Sequence, residues 1–165
     1  THPITQPCFQ RILIFARFPG KAMDTLTMLV VEDNPDHLEL TLITLEETGC
    51  THQIAIARDG LEALDYLFCE GAFSQRSPCD QPELVLLDLG LPKLDGLQVL
   101  QRMRADPRTA LTPVLLLTSA SEQSDTILAL EGGLNSYASK PLTPRDFEDK
   151  LAEARAHWRQ TGTAG

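Results

Sequence analysis

Five side chains of this 165-residue chain stand where short apolar runs stop, and their types suit one chemistry. Glu32 and Asp33 close the run 27–31, Asp88 closes 84–87, Thr118 ends 113–118, and Lys140 follows 135–138. Three carboxylates in one crevice repel one another. A proton on one of them answers that repulsion, or a bound cation does. A hard divalent ion with oxygen ligands is the cheaper answer in a wet crevice, and few carboxylates with room for water favour Mg2+ over Ca2+. Asp33 could instead cap the following helix, although Asn34 does so better; Asp88 precedes Leu-Gly-Leu-Pro, which starts no helix. A single lysine is usually a solvated surface residue, and a threonine at a strand end usually reflects β-propensity. Combined with three acids they place a cation, an ammonium and a hydroxyl around one carboxylate. That set suits phosphoryl transfer, which needs positioning and charge neutralisation above all. An aspartate can serve as the nucleophile that becomes an acyl phosphate.

The elements that must carry these residues alternate strand and helix. Run 27–31 is apolar and β-branched, and Asn34-Pro35 then supplies a cap and a first-turn proline. Leu38, Leu42 and Leu45 form the inward stripe of the first helix, which Gly49 is expected to stop. A second strand at 53–57 leads through Asp59-Gly60 into a helix with Leu61, Leu64, Leu67 and Phe68 inward. Residues 70–83 read as a long surface loop, and 84–87 as a parallel strand covered on both faces. A third helix at about 94–104 carries Leu97, Leu100 and Met103, and the fourth strand is 113–118. A fourth helix at about 121–131 ends at Gly132-Gly133, and 135–138 is a short outer strand. Thr143 to Asp146 forms the Asp version of a capping box, opening a last helix with Phe147, Leu151 and Ala154 inward, ending near Trp158. Five such units predict an α/β fold with a doubly wound, five-stranded parallel sheet and five helices. Ligands bind such sheets at the carboxyl ends of the strands near the switch point, and in a flavodoxin-like order of 2-1-3-4-5 the first and third strands are neighbours.

Composition narrows the function. Acids outnumber bases 23 to 14, for a net charge of -9, which disfavours sequence-independent nucleic-acid binding. Residues 1–22 carry Arg11, Arg17 and Lys21 and no acid; they read as a flexible extension, with a strand pairing to another chain as the sharper alternative. No apolar run reaches membrane-spanning length, and no signal-peptide pattern is present. Cys8, Cys50, Cys69 and Cys79 make no C-x-x-C pair and read as reduced thiols of a cytoplasmic protein.

At this point the residues resemble a known family. Val-Val-Glu-Asp-Asn, Leu-Leu-Asp-Leu-Gly-Leu-Pro-Lys-Leu-Asp-Gly, Leu-Leu-Thr-Ser-Ala and Ser-Lys-Pro-Leu occur in the order of the CheY-like receiver domains of two-component response regulators. The resemblance spans about residues 26 to 158, within a receiver unit set at 23–158 and followed by a tail at 159–165. It implies that Asp88 is the phosphoacceptor. Asp33 would be a direct Mg2+ ligand, Glu32 an acid reaching the metal through water, and Gly90 the donor of a backbone carbonyl. Thr118 would be the switch hydroxyl, Lys140 the partner of the phosphoryl group with its bond to Pro141 often cis, and Tyr137 the rotating aromatic. The donor implied is a sensor histidine kinase. The long 70–83 loop and closing Lys-Pro resemble stand-alone receivers paired with bacterial phytochrome kinases. With seven residues after Trp158, no output domain is expected, and signalling would pass by protein contact, onward transfer or a homodimer through the fourth helix, fifth strand and fifth helix, with Leu134 and Tyr137 as candidates.

Two positions depart from the common pattern. Gly90 and Ala120 are bare where side chains in relatives flank the acyl phosphate, so water should approach more freely. A larger residue at Gly90 is expected to alter autodephosphorylation; an unchanged phosphoryl half-life in Gly90→Asn would count against this. Three rivals are weaker. A haloacid-dehalogenase-type phosphatase needs a second Asp two residues after the nucleophile, where this chain has Gly90. A flavin carrier needs hydroxyls and glycines where 32–36 is acidic. A phosphorylation-independent adaptor would keep the fold without the chemistry, yet every acid, hydroxyl and lysine is intact. His37, His52 and His157 lie outside any helical-bundle context and read as surface residues rather than phosphorelay histidines.

Overall fold

The computed structural model describes residues 25–48, 51–78, 80–119 and 136–161. Five parallel strands, β1 (Thr25–Val31), β2 (Thr51–Ala57), β3 (Leu84–Asp88), β4 (Val114–Thr118) and β5 (Ser136–Ser139), form one sheet in the order β2-β1-β3-β4-β5. This is the expected order, with β1 and β3 adjacent in the middle. Four α-helices cross it among the described residues: α1 (Pro35–Glu47), α2 (Gly60–Phe68), α3 (Gly96–Ala105) and α4 (Pro144–Thr161). The helix expected at 121–131, residues 1–22, Ala120 and Leu134 lie outside the described residues, as do Cys50, Cys79 and the side chains of His52 and His157. Cys69 is a free thiol. Among the described residues no helix is long and apolar enough to cross a membrane.

Alternation along the central strands feeds two cores. Leu29, Val31, Val85, Leu87, Val114 and Leu116 pack under α2 and α3. Met28, Val30, Leu84, Leu86, Leu115 and Leu117 pack under α1 and α4, where Phe147 is wholly buried. Both faces being covered, β3 and β4 are apolar at nearly every position.

The helix starts follow from their caps. Asn34 Oδ1 accepts from the Asp36 and His37 amides at 2.9 and 3.3 Å, with Pro35 at the first helical position. Asp59 accepts from the Glu62 amide at 2.8 Å, and Thr143 Oγ1 from the Asp146 amide at 3.1 Å. The third helix begins two residues later than expected, because Asp95 and Gln98 form a reciprocal capping box and Leu94 is spent as a buried loop anchor. Leu61 is a correction. It is 47% exposed, and Ala63, Leu64 and Leu67 take the inward face that a turn of 3.6 residues selects.

The 70–83 segment contains a 3-10 turn (Gly71–Phe73) and is pinned by Arg76. The Arg76 guanidinium lies 3.6 Å from the Tyr66 ring centre and donates to the Tyr66 and Asp80 carbonyls. Phe73 meets the same ring edge-on at 5.2 Å.

Gly60 has a packing role. A Cβ there would sit 2.0 Å from the Leu94 carbonyl oxygen, so α2 starts in direct backbone contact with the loop after β3. Gly60→Ala is expected to lower stability by about 3 kcal/mol, since neither backbone can yield cheaply. Urea denaturation checks this, and a loss below about 1 kcal/mol would show that the two segments part easily.

Candidate functional site

The site is built at the carboxyl ends of β1, β3, β4 and β5. Val31 pairs with Leu87, so Glu32 and Asp88, each one residue further on, come side by side. The Glu32 amide still donates to Ala57 O at 3.0 Å, which continues the β1–β2 ladder and fixes its side chain. Carboxylate oxygens of Glu32, Asp33 and Asp88 all lie within 4.8 Å of one another. Glu32 and Asp88 are buried, whereas Asp33 faces solvent. The crowding expected from the strand ends is therefore present, and so is an open side.

Lys140 reaches this cluster from the opposite edge. Its amide donates to Thr118 O at 2.8 Å, extending the β4–β5 ladder, and the Lys140–Pro141 bond is cis. Its ammonium stands 2.9 Å from Glu32 Oε1 and 3.1 Å from Asp88 Oδ1. Thr118 is buried at the end of β4, one strand over from Asp88, in register with Ser139. Gly90 is exposed, and its amide makes a long contact of 3.4 Å with Asp88 Oδ1. Tyr137 is 45% exposed on the outer strand, with the Lys150 ammonium 5.9 Å from its ring centre.

The loop between β3 and α3 is held firmly. A Cβ on Gly96 would sit 2.6 Å from the Asp88 carbonyl oxygen, so α3 begins tight against the end of β3. Leu89, Leu91 and Leu94 are buried. Lys93, with φ of 65°, occupies the left-handed region, and its ammonium meets Asp59 at 3.2 Å. None of this anchoring is visible in residue spacing, because it depends on backbone approach.

Burial pushes the Glu32 carboxyl up to about 7; the Lys140 ammonium beside it opposes this and Asp88 adds to it. For Lys140, burial works against the ammonium, but Glu32 and Asp88 outweigh it and hold its pKa above the usual lysine value. The two partners thus shift together as a pair sharing excess negative charge. Glu32 Oε1 is buried and has no hydrogen-bond partner, its contact with Lys140 being an ion pair without hydrogen-bond geometry. A buried acceptor left in that state, facing two further carboxylates, fits a hard divalent cation with oxygen ligands.

Comparison with known proteins agrees with this geometry. The profile of the response regulator receiver domain matches residues 28–152. The chain belongs to this family. Receiver domains bind Mg2+ or Mn2+ in an acidic pocket and accept phosphoryl groups from histidine kinases. A solved relative, the bacteriophytochrome response regulator RtBRR, superposes with a TM-score of 0.72 at 41% identity, covering 79% of this chain and 78% of that one. The response regulator Rcp1 of Synechocystis sp. is 33% identical over 136 residues, 82% of this chain and 90% of Rcp1. Its Mn2+-bound crystal structure matches with a TM-score of 0.64 and 31% identity, covering 81% and 91% of the two chains. The probable methanogenesis regulatory protein FilR2 of Methanothrix harundinacea is 36% identical over 138 residues, 84% of this receiver and 86% of FilR2.

Proposed function

We propose that this receiver takes a phosphoryl group onto Asp88 from a phosphohistidine of a sensor kinase, in a Mg2+-dependent reaction, and signals through the surface around β5. The observation that carries this reading is the Lys140 ammonium lying 2.9 and 3.1 Å from two buried carboxylates at neighbouring strand ends. Glu32, Asp33, Asp88 and the Gly90 carbonyl would hold Mg2+, which supplies positive charge to the transferring oxygens. Asp88 attacks as the carboxylate. Its oxygen–phosphorus bond forms as the phosphorus–nitrogen bond to the donor imidazole breaks, and the freed imidazole takes a proton from water. Lys140 screens the incoming charge and then pairs with a phosphoryl oxygen. Thr118 donates its hydroxyl to another, and Tyr137 follows into the space vacated. Autodephosphorylation resets Asp88.

The likeness to the bacteriophytochrome response regulators RtBRR and AtBRR supports a bacterial phytochrome kinase as the partner, and with such a partner the receiver would act in the cytoplasm. The exposed Tyr137 and the adjoining α4 support a homodimer through the helix expected at 121–131, β5 and α4. We assign 23–158 to the receiver unit, between a 1–22 extension and a 159–165 tail.

Incubation with acetyl phosphate tests the reading by intact mass. One phosphoryl group is expected with Mg2+ and none with a chelator. No gain in either condition would overturn it in favour of the phosphorylation-independent adaptor.

A further inference from the structure

The Lys140 ammonium has a neighbour that the transfer scheme leaves unused. His37, in the first turn of α1, places Nδ1 3.4 Å from Lys140 Nζ. An ammonium carries three N–H donors and no acceptor, so a hydrogen bond between the two groups uses the ring nitrogen as acceptor. The three groups around Nζ are therefore the Glu32 and Asp88 carboxylates, held as ion pairs, and His37 Nδ1.

The fold holds His37 in that place from both ends of α1. Asn34 Oδ1 receives the His37 amide at 3.3 Å. The Thr44 hydroxyl donates to Leu142 O at 3.0 Å, which ties α1 to the segment carrying Lys140. His37 then lines a rim groove with Leu40, Thr41, Lys140, Pro141 and Leu142. The imidazole itself is exposed, so it contributes little to the core.

We propose that His37 is a positioning residue for Lys140, an inference that rests on the phosphoacceptor reading of Asp88. The reason lies in what changes when Asp88 becomes an acyl phosphate. Its oxygen then carries phosphorus and no longer offers the full carboxylate charge that faced Nζ. A flexible four-carbon chain freed from one of its three partners tends to swing toward water. The contacts to Glu32 and His37 keep the ammonium over the cleft and leave one N–H to turn onto a phosphoryl oxygen. His37 touches neither donor nor metal ligands in this scheme and acts through Lys140 alone.

The test compares wild type, His37→Ala and His37→Asn, with phosphoramidate and Mg2+ as the probe, a donor too small to need any protein-docking surface. The Asn Oδ1 lies where the imidazole Nδ1 lies and restores an acceptor. The rate in His37→Ala is expected to fall by about 3–10-fold, a loss of the size produced by loosened positioning of one charged group. The rate in His37→Asn should stay within about twofold of wild type, and all three proteins should melt together. In 15N spectra the Lys140 Nζ protons should exchange faster in His37→Ala than in the other two. A wild-type rate in His37→Ala, or a His37→Asn rate as low as that of His37→Ala, would overturn the proposal while leaving Asp88 as acceptor. Failure of wild type itself to gain mass would overturn the phosphoacceptor reading, and this inference with it.

Discussion

Asp88→Asn is expected to gain no phosphoryl group under conditions that phosphorylate the wild-type chain, and to fold at least as stably. The two side chains have nearly the same shape, so the packing at the end of β3 survives. An amide oxygen lacks the charge and nucleophilicity of a carboxylate, so no acyl phosphate forms. The stability side follows from the crowding. Asp88 is one of the groups that raise the Glu32 pKa, and it shares a single ammonium with Glu32. Removing its charge relieves repulsion and leaves Lys140 to Glu32. The stability change should stay within about 1 kcal/mol of zero or favour the variant, because one unit of relieved pKa shift corresponds to about 1.4 kcal/mol. Intact mass and urea unfolding of both proteins check the two halves. A mass gain in Asp88→Asn would move the acceptor elsewhere in the chain.

Lys140→Ala should damage both reaction and fold. Its side chain is 19% exposed, and the carboxylates it serves are 3% and 6% exposed. Taking away one partner of a buried ion pair leaves charge uncompensated, at a cost of about 3 kcal/mol. Glu32 can escape part of that by taking a proton. The sign with pH follows. Its folded pKa is raised from 4.5 to about 7, so the stability associated with this proton is fully present below 4.5 and is lost as pH rises through about 7. Without Lys140 the shift grows, so the variant should lose more stability relative to wild type at pH 8 than at pH 5. Saturating Mg2+ should recover much of the deficit, because it restores positive charge to the folded state alone. Phosphorylation by acetyl phosphate should slow on the order of 100-fold, the cost of removing one preorganised charge from a developing transition state. Equal stability at both pH values would show that Lys140 does not serve Glu32 as the distances indicate.

The strand order and the gathering of Glu32, Asp33, Asp88 and Lys140 were legible from residue types, because strand ends carry the chemistry in a doubly wound sheet. Both described faces of β3 being covered followed from its unbroken apolar run. Other features depend on geometry that spacing does not encode. Leu61 reads as part of an inward stripe, yet it falls on the flank once Asp59 fixes where α2 begins. Asp95 lies among loop residues and reveals itself as a cap only when Gln98 folds back on it. The contact between Gly60 and Leu94 joins segments more than thirty residues apart through backbone alone. His37 reads as a surface histidine and is one; its nearness to Lys140 comes from how α1 lies against the segment after β5.

The pinned segment at 70–83 connects the far end of α2 to the start of β3, so it lies at the pole opposite the acidic cleft. Arg76 clasps it onto Tyr66, leaving Ser74 and Gln75 exposed to solvent. A fluorophore or a short peptide tag grafted between those two would ride on a stiff platform and leave the chemistry undisturbed, which makes this pole a natural attachment point for reporters of the signalling state.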